Sequence, residues 1–268
     1  MGAMPTARSF LLPAFLLALL VLALPAVSGA RKARPTCDGK RATIVGTEGH
    51  DDITGTKAGD VIVAEGGNDV IHGLGGNDTI CAGGGADRIF GGKGSDVIFG
   101  EGGNDQVKGE TGNETIEGGA GDDHLDENAG DGTTKGGPGN DVLAGERGID
   151  TLEGGPGDDL ITAGIGFDTL RGGGGNDTLL PEKGHDSVDG GPGSDTVDYS
   201  TEPAGVVVDL ARHKSLESAG HDSLRAVENA TGSKFDDKLI GDSGPNVLIG
   251  GSGRDKLRGG GGHDTLKQ

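Results

Sequence analysis

The chain of 268 residues contains 58 glycines, no tryptophan and one tyrosine, and its formal net charge is −20. This acidic balance argues against nucleic acids and anionic membranes as partners and favours cations. Intrinsic disorder is the alternative for an acidic chain with few aromatic residues. However, the aliphatic residues recur at a fixed phase of a nine-residue period, which favours a folded repeat array.

Residues 1–30 have the features of a secretory signal peptide. Arg8 precedes an apolar run from Phe10 to Leu24, and small residues follow up to Ala30. We place cleavage near Ala30 and expect a secreted, extracellular protein with no membrane span after cleavage. A membrane anchor is the alternative, but a run of this length, interrupted by Pro13, is short for a span.

Residues 31–45 are predicted to form an N-terminal cap. The chain has only two cysteines, Cys37 and Cys81, and no CxxC or Cys/His ligand spacing. In an exported protein an isolated pair is more typical of a disulfide than of a metal or redox site. We predict that the segment Cys37–Val45 lies over apolar outward residues of the first repeats and is tied there by a Cys37–Cys81 disulfide.

Residues 46–198 repeat a nine-residue unit almost without interruption. Gly91–Phe99 is one complete copy, and the general form is Gly-Gly-x-Gly-x-Asp-x-U-x, where U is aliphatic. The first six positions are typical of a turn, because glycine permits positive φ and aspartate bonds its own backbone. The last three suit a short strand whose U residue points inward. Turn, strand, turn, strand then closes one coil every eighteen residues, with two facing columns of U as the core.

The aspartates at the sixth position are the candidate metal ligands. Carboxylates eighteen residues apart should lie on the same edge in successive coils, giving an Asp51 edge and an Asp60 edge. Two carboxylates about 5 Å apart repel by about 3 kcal/mol at an effective dielectric of 20, so the pattern calls for a cation. The available ligands are carboxylate and carbonyl oxygens, which favour Ca²⁺ over Mg²⁺ or Zn²⁺. The predicted ligands are Asp51, Asp60, Asp69, Asp78, Asp87, Asp96, Asp105, Asp123, Asp141, Asp150, Asp159, Asp168, Asp177, Asp186, Asp195, Asp237, Asp255 and Asp264.

Two repeats depart from the pattern. Glu114 replaces one aspartate with a longer carboxylate, so that site should survive with altered geometry. In residues 127–135 the aspartate position is Gly132 and the inward position is Thr134. We expect a missing or weak metal site in that repeat and weaker stacking of the coils there.

The remaining segments continue the array. In residues 199–231, the alternation of Val206, Val208 and Leu210 predicts a strand, and the segment Gly220–Leu224 returns to the phase of the core. This irregular stretch is expected to be continuous with the repeats. Residues 232–268 contain four further copies of the unit.

The chain resembles the haemolysin-type, or repeats-in-toxin (RTX), calcium-binding proteins, which are secreted bacterial proteins. The resemblance is carried by the in-phase copies of the unit over residues 46–198 and 232–268. It implies an all-β fold, a right-handed parallel β-roll with two short strands per coil. It also implies multiple Ca²⁺ ions between the turns of neighbouring coils, held by aspartate carboxylates and turn carbonyls.

The sequence favours a non-enzymatic calcium-binding module with a structural, surface or interaction role. It contains neither HExxH nor GxSxG, and His50, His185 and His263 fall at a variable turn position. Catalytic residues are therefore not expected. The alternative is an accessory or degenerate relative of a secreted RTX enzyme or toxin. Calcium is the expected partner; a protein or cell-surface partner is left open.

Overall fold

The computed structural model describes residues 34–216 and 220–268. The signal peptide predicted at residues 1–30 lies outside the described residues. The fold is the predicted all-β parallel solenoid, with about twelve coils of eighteen residues and two strands in each coil. In the described ranges the only helical element is a 3-10 turn at Leu210–Arg212.

Strands from alternate repeats form two large sheets, and a separate hairpin pairs β1 (Thr36–Cys37) with β2 (Lys40–Arg41). The first large sheet, in spatial order, contains β3 (Ile44–Thr47), β5 (Val61–Glu65), β7 (Thr79–Gly84), β9 (Val97–Gly102), β11 (Thr115–Ala120), β13 (Thr133–Lys135), β15 (Thr151–Pro156), β17 (Thr169–Gly174), β20 (Ser187–Asp189), β24 (Ser223–Arg225), β23 (Lys214–Leu216), β22 (Val207–Asp209), β26 (Lys238–Ile240) and β28 (Lys256–Arg258). The second contains β4 (Asp52–Thr54), β6 (Val70–His72), β8 (Arg88–Lys93), β10 (Gln106–Thr111), β12 (His124–Ala129), β14 (Val142–Arg147), β16 (Leu160–Gly166), β18 (Thr178–Leu180), β21 (Thr196–Asp198), β25 (Asn229–Thr231), β27 (Val247–Ile249) and β29 (Thr265–Lys267), with β19 (Lys183–Gly184) beside β16.

The register between regular coils is eighteen residues, as the repeat requires. Ile62 lies opposite Ile80, and Ile80 lies opposite Ile98. Many central strands are six residues long rather than the predicted three, since the glycines after the inward residue still pair with the next coil. Parallel in-register stacking lets these turn residues satisfy their backbone groups on the neighbouring coil.

The inward U residues form one continuous core between the two sheets. From Ile62 to Val197 each aliphatic U residue is at most 1% exposed. Thr134 takes the same inward position and is also fully buried. The column starts earlier than the sequence indicated, because Ile44 pairs with Ile62 and packs against the core.

The segment Cys37–Ala42 packs on the outer face of the first sheet, whereas Ile44 and Val45, which were assigned to the same cap, belong to strand β3 of the sheet itself. Cys37 forms a disulfide with Cys81, across a sequence separation of 44 residues. The buried residues Cys37, Ala42, Val63 and Cys81 form a second apolar cluster, and Phe99 packs against it. Closing a loop of this length stabilises the fold by roughly 4 kcal/mol in the chain-entropy model.

The irregular segment after β21 belongs to the same two sheets. β24 pairs in parallel with β20, and β25 pairs in parallel with β21. β23 is antiparallel to both β22 and β24, whereas β22 pairs in parallel with β26. The second sheet passes directly from β25 to β27, so the first sheet is wider by two strands here, about 10 Å at the usual spacing.

Candidate metal centre

The predicted ligands lie at the two turn edges of the solenoid, each immediately before a strand. From Asp69 to Asp195, every one of them is at most 3% exposed. Asp60, Asp237 and Asp255 are also buried, whereas Asp51 and Asp264 are half-buried. The turns therefore carry carboxylates into positions that water hardly reaches.

One oxygen of most of these carboxylates binds the neighbouring coil. Its Oδ1 accepts a hydrogen bond from the backbone N–H of the residue eighteen positions earlier. The N–H of Asp87 donates to Asp105 Oδ1 at 2.8 Å, and the N–H of Asp141 donates to Asp159 Oδ1 at 2.8 Å. Each edge is consequently a ladder of charged acceptors that fixes the register of successive turns.

The second oxygen is left without a partner in most of the predicted ligands. These buried, unpartnered Oδ2 atoms belong to Asp69, Asp78, Asp87, Asp96, Asp105, Asp123, Asp141, Asp150, Asp159, Asp168, Asp177, Asp186, Asp195 and Asp255. A buried polar atom without a partner is costly, and a buried charge more so. The oxygens repeat along both edges at the coil spacing, so they fit a row of cations along each edge.

Three predicted ligands differ because their Oδ2 already has a protein donor. Thr47 donates its backbone N–H to Asp51 Oδ2 at 2.6 Å, and Thr56 donates its N–H to Asp60 Oδ2 at 2.7 Å. The N–H of Ser233 donates to Asp237 Oδ2 at 2.7 Å. In these three turns Thr or Ser stands four residues before the aspartate. These three carboxylates are therefore already partly satisfied by hydrogen bonds, and a cation would stabilise them less than it would stabilise the carboxylates of the central array.

The first glycine of the repeat makes room for the free oxygen. A Cβ built on Gly91 would lie 2.7 Å from Asp96 Oδ2 and 2.9 Å from the carbonyl oxygen of Gly109 in the next coil. Both distances are shorter than real Cβ contacts, so a side chain there would displace a carboxylate and a carbonyl together. Such a pair of oxygens is the type of ligand that Ca²⁺ prefers.

Burial raises the pKa of these carboxyl groups. Desolvation is the main cause, and nearby carboxylates add to it, while the backbone hydrogen bond to Oδ1 lowers the pKa in part. The pKa reaches about 6 for Asp78 and Asp105 and about 7 for Asp123 and Asp186. Among the residues that the structure describes, the ion pairs involve other acidic groups, so these four carboxylates have no basic side chain paired with them.

Side chains alone do not complete a metal site. Among the described residues, no three Asp, Glu, His or Cys side chains converge as a metal-binding group. Because Ca²⁺ takes six to eight oxygen ligands, the turn carbonyls beside each Oδ2 would have to contribute. The geometry thus fits a site shared between side chains and backbone.

Some acidic residues at these edges were missing from the predicted ligands. The N–H of Asp186 donates to Asp222 Oδ1 at 3.0 Å, and the N–H of Asp195 donates to Glu228 Oε2 at 2.9 Å. Asp222 was recognisable from the return of the core phase at Leu224. Glu228 was not, because its repeat lacks the glycines and carries Ala230 inward.

A family model, the RTX calcium-binding nonapeptide repeat in four copies, matches most of the chain. The matched residues are 45–80, 82–113, 108–133, 135–170, 163–197 and 231–266. The chain belongs to this family. No curated protein matches the chain. The RTX match and the turn geometry agree on the same residues, the glycine-rich turns that precede each strand. Within residues 34–216 and 220–268, no helix is long and apolar enough to cross a membrane.

A pair of glycines in one RTX turn tests the role of the first position. A Cβ at Gly172 would fall inside 3.0 Å of both Asp177 Oδ2 and the Gly190 carbonyl, whereas a Cβ at Gly174 meets nothing within 4 Å. We expect Gly172→Ala to destabilise the calcium-loaded protein by about 1–3 kcal/mol through this overlap. Gly174→Ala should stay within about 0.5 kcal/mol. Urea unfolding at fixed calcium measures both; equal losses would contradict the assignment.

Proposed function

We propose that this RTX chain is a secreted calcium-binding protein whose turns bind several Ca²⁺ ions and thereby drive folding of the β-roll. The observation that carries the proposal is the set of buried Oδ2 atoms without a partner along both edges. Bound calcium would supply the positive charge that these oxygens lack.

Carboxylates and backbone carbonyls would have different roles at each turn. Aspartates such as Asp96 would bind the ion through Oδ2. Their Oδ1 accepts a hydrogen bond from the preceding coil, as Asp96 Oδ1 does from the N–H of Asp78. Glycine carbonyls such as that of Gly109 would complete the coordination, because no side chain at Gly91 blocks their approach. The ligands on one edge thus come from successive coils, so binding would couple neighbouring coils.

The role that we propose for the roll is a non-enzymatic structural, surface or interaction module. The described residues consist of repeats and a disulfide-tied cap, and fold alone does not supply an activity. An extracellular location is supported by the disulfide, which is typical of oxidising compartments, and by the apolar stretch in residues 1–30. Extracellular calcium modules bind with dissociation constants on the order of 0.1–1 mM.

Equilibrium dialysis with elemental analysis tests the proposal directly. The purified protein should bind several calcium ions per chain, half-saturated on the order of 0.1–1 mM free calcium. Magnesium at the same concentration should not displace them, because Mg²⁺ dehydrates reluctantly and requires a stricter geometry. Absence of bound calcium at millimolar concentrations would refute the function.

A further inference from the structure

The repeat at residues 127–135 lacks the aspartate, yet a carboxylate lies in the same place. In a regular repeat, glycine occupies the first position and the Oδ2 of the aspartate five residues later lies against it, as in Gly91 and Asp96. Here the two residue types are exchanged: Glu127 is first and Gly132 is sixth. A Cβ built on Gly132 would collide with Glu127 Oε1. Glu127 therefore reaches the carboxylate position from the opposite side of the turn.

Other features of this repeat accommodate the exchange. Glu127 is 0% exposed and its Oε1 has no hydrogen-bond partner. Its Oε2 accepts a hydrogen bond from the hydroxyl of Thr134 at 3.5 Å, which accounts for a threonine at an inward position that is otherwise aliphatic. The N–H of Gly132 still donates to Asp150 Oδ1 at 3.2 Å. The three departures from the repeat, Glu127, Gly132 and Thr134, therefore contact one another and are structurally linked.

Glu127 also keeps the Asp60 edge continuous. The coil before it contributes Glu114, whose two carboxylate oxygens are buried without partners, and the coil after it contributes Asp150 with a free Oδ2. The backbone carbonyl of Glu114 lies 2.8 Å from the same Cβ position at Gly132. Unpartnered oxygens from three successive coils therefore occur around the repeat whose metal site was expected to be missing or weak.

We propose that Glu127 supplies the carboxylate ligand of a divalent cation of the calcium type at this repeat, in place of the missing aspartate, with backbone carbonyls such as that of Glu114 beside it. This inference rests on the proposed calcium-binding function but concerns residues outside the nonapeptide pattern. Where the sequence predicts a missing or weak site at Gly132, the proposal places a bound ion, and the row of ions along the Asp60 edge then continues through this repeat.

Calcium stoichiometry by equilibrium dialysis tests the proposal with three variants. Glu127→Gln removes the charge and should bind at least one calcium ion fewer than the wild type. Glu117→Gln is the matched control, since Glu117 is exposed on the neighbouring strand β11 and should bind as the wild type does. The double variant Glu127→Gly with Gly132→Asp restores the regular order and should bind the same number as the wild type.

The double variant also separates the alternatives if Glu127→Gln fails to fold. Were Glu127 only a buried structural residue, the double variant would create a site and bind one ion more than the wild type. That result, or wild-type stoichiometry in a folded Glu127→Gln protein, would overturn the proposal. So would a double variant that binds fewer ions than the wild type. A wild type that binds no calcium would instead refute the proposed function.

Discussion

Chelation of calcium at neutral pH is expected to abolish the β-sheet circular dichroism of this protein, and millimolar calcium should restore it. Along each edge, carboxylates from successive coils are buried with one oxygen unpartnered. At an effective dielectric of 20, each neighbouring pair about 5 Å apart repels by about 3 kcal/mol without a cation. Repulsion between many such pairs should exceed the net stability of a domain, which is about 5–15 kcal/mol.

The core is too thin to compensate for that repulsion. Most repeats place one large aliphatic side chain in it, and a second core residue in a regular repeat is only an alanine such as Ala64 or Ala82. The glycines of each turn, in contrast, lose the most backbone freedom on folding. Magnesium at equal concentration is the control for specificity, and a monovalent salt at equal ionic strength is the control for screening. A far-ultraviolet spectrum that is unchanged by the chelator would contradict the expectation.

The sequence predicts the regular part of this molecule well, because one constraint repeats. An aliphatic residue at every ninth position must face the core, so Ile62, Ile80 and Ile98 determine both the strand and its register. The same period places Asp78 and Asp96 on one edge. Fold class and the positions of the turn carboxylates follow from the pattern without knowledge of any single contact.

The irregular parts depend on contacts that the period does not encode. Glu127 reaches the carboxylate position only because the turn brings residues 127 and 132 together. In the sequence pattern, these two residues are simply two mismatches to the repeat. The antiparallel strand β23 has no nonapeptide signal. It is held near β24, where the Ser215 hydroxyl and the Tyr199 hydroxyl both donate to Asp222 Oδ2. Such exceptions to the repeat depend on contacts between particular side chains, and these contacts become visible only in the three-dimensional structure.

Acidification should stabilise the calcium-free protein. Burial raises the pKa of Asp105 to about 6, of Asp123 to about 7 and of Glu127 to about 9, from ordinary values near 4. Between the unfolded and folded values, the folded chain binds more protons than the unfolded chain, so stability falls as pH rises. The stabilisation is present in full below about pH 4 and is lost as pH rises through the folded pKa values of about 6–7 and above.

Calcium-free protein dialysed to pH 5.5 should therefore show more β-sheet circular dichroism than the same sample at pH 8. Protons replace the cation as the means of neutralising the buried carboxylates. In the calcium-loaded protein the dependence should be opposite, since protons compete with calcium and its half-saturation concentration should rise on acidification. Dilute samples are needed because the isoelectric point is near 4.5. Calcium-free protein that is as unfolded at pH 5.5 as at pH 8 would show that repulsion between the turn carboxylates is not what prevents folding.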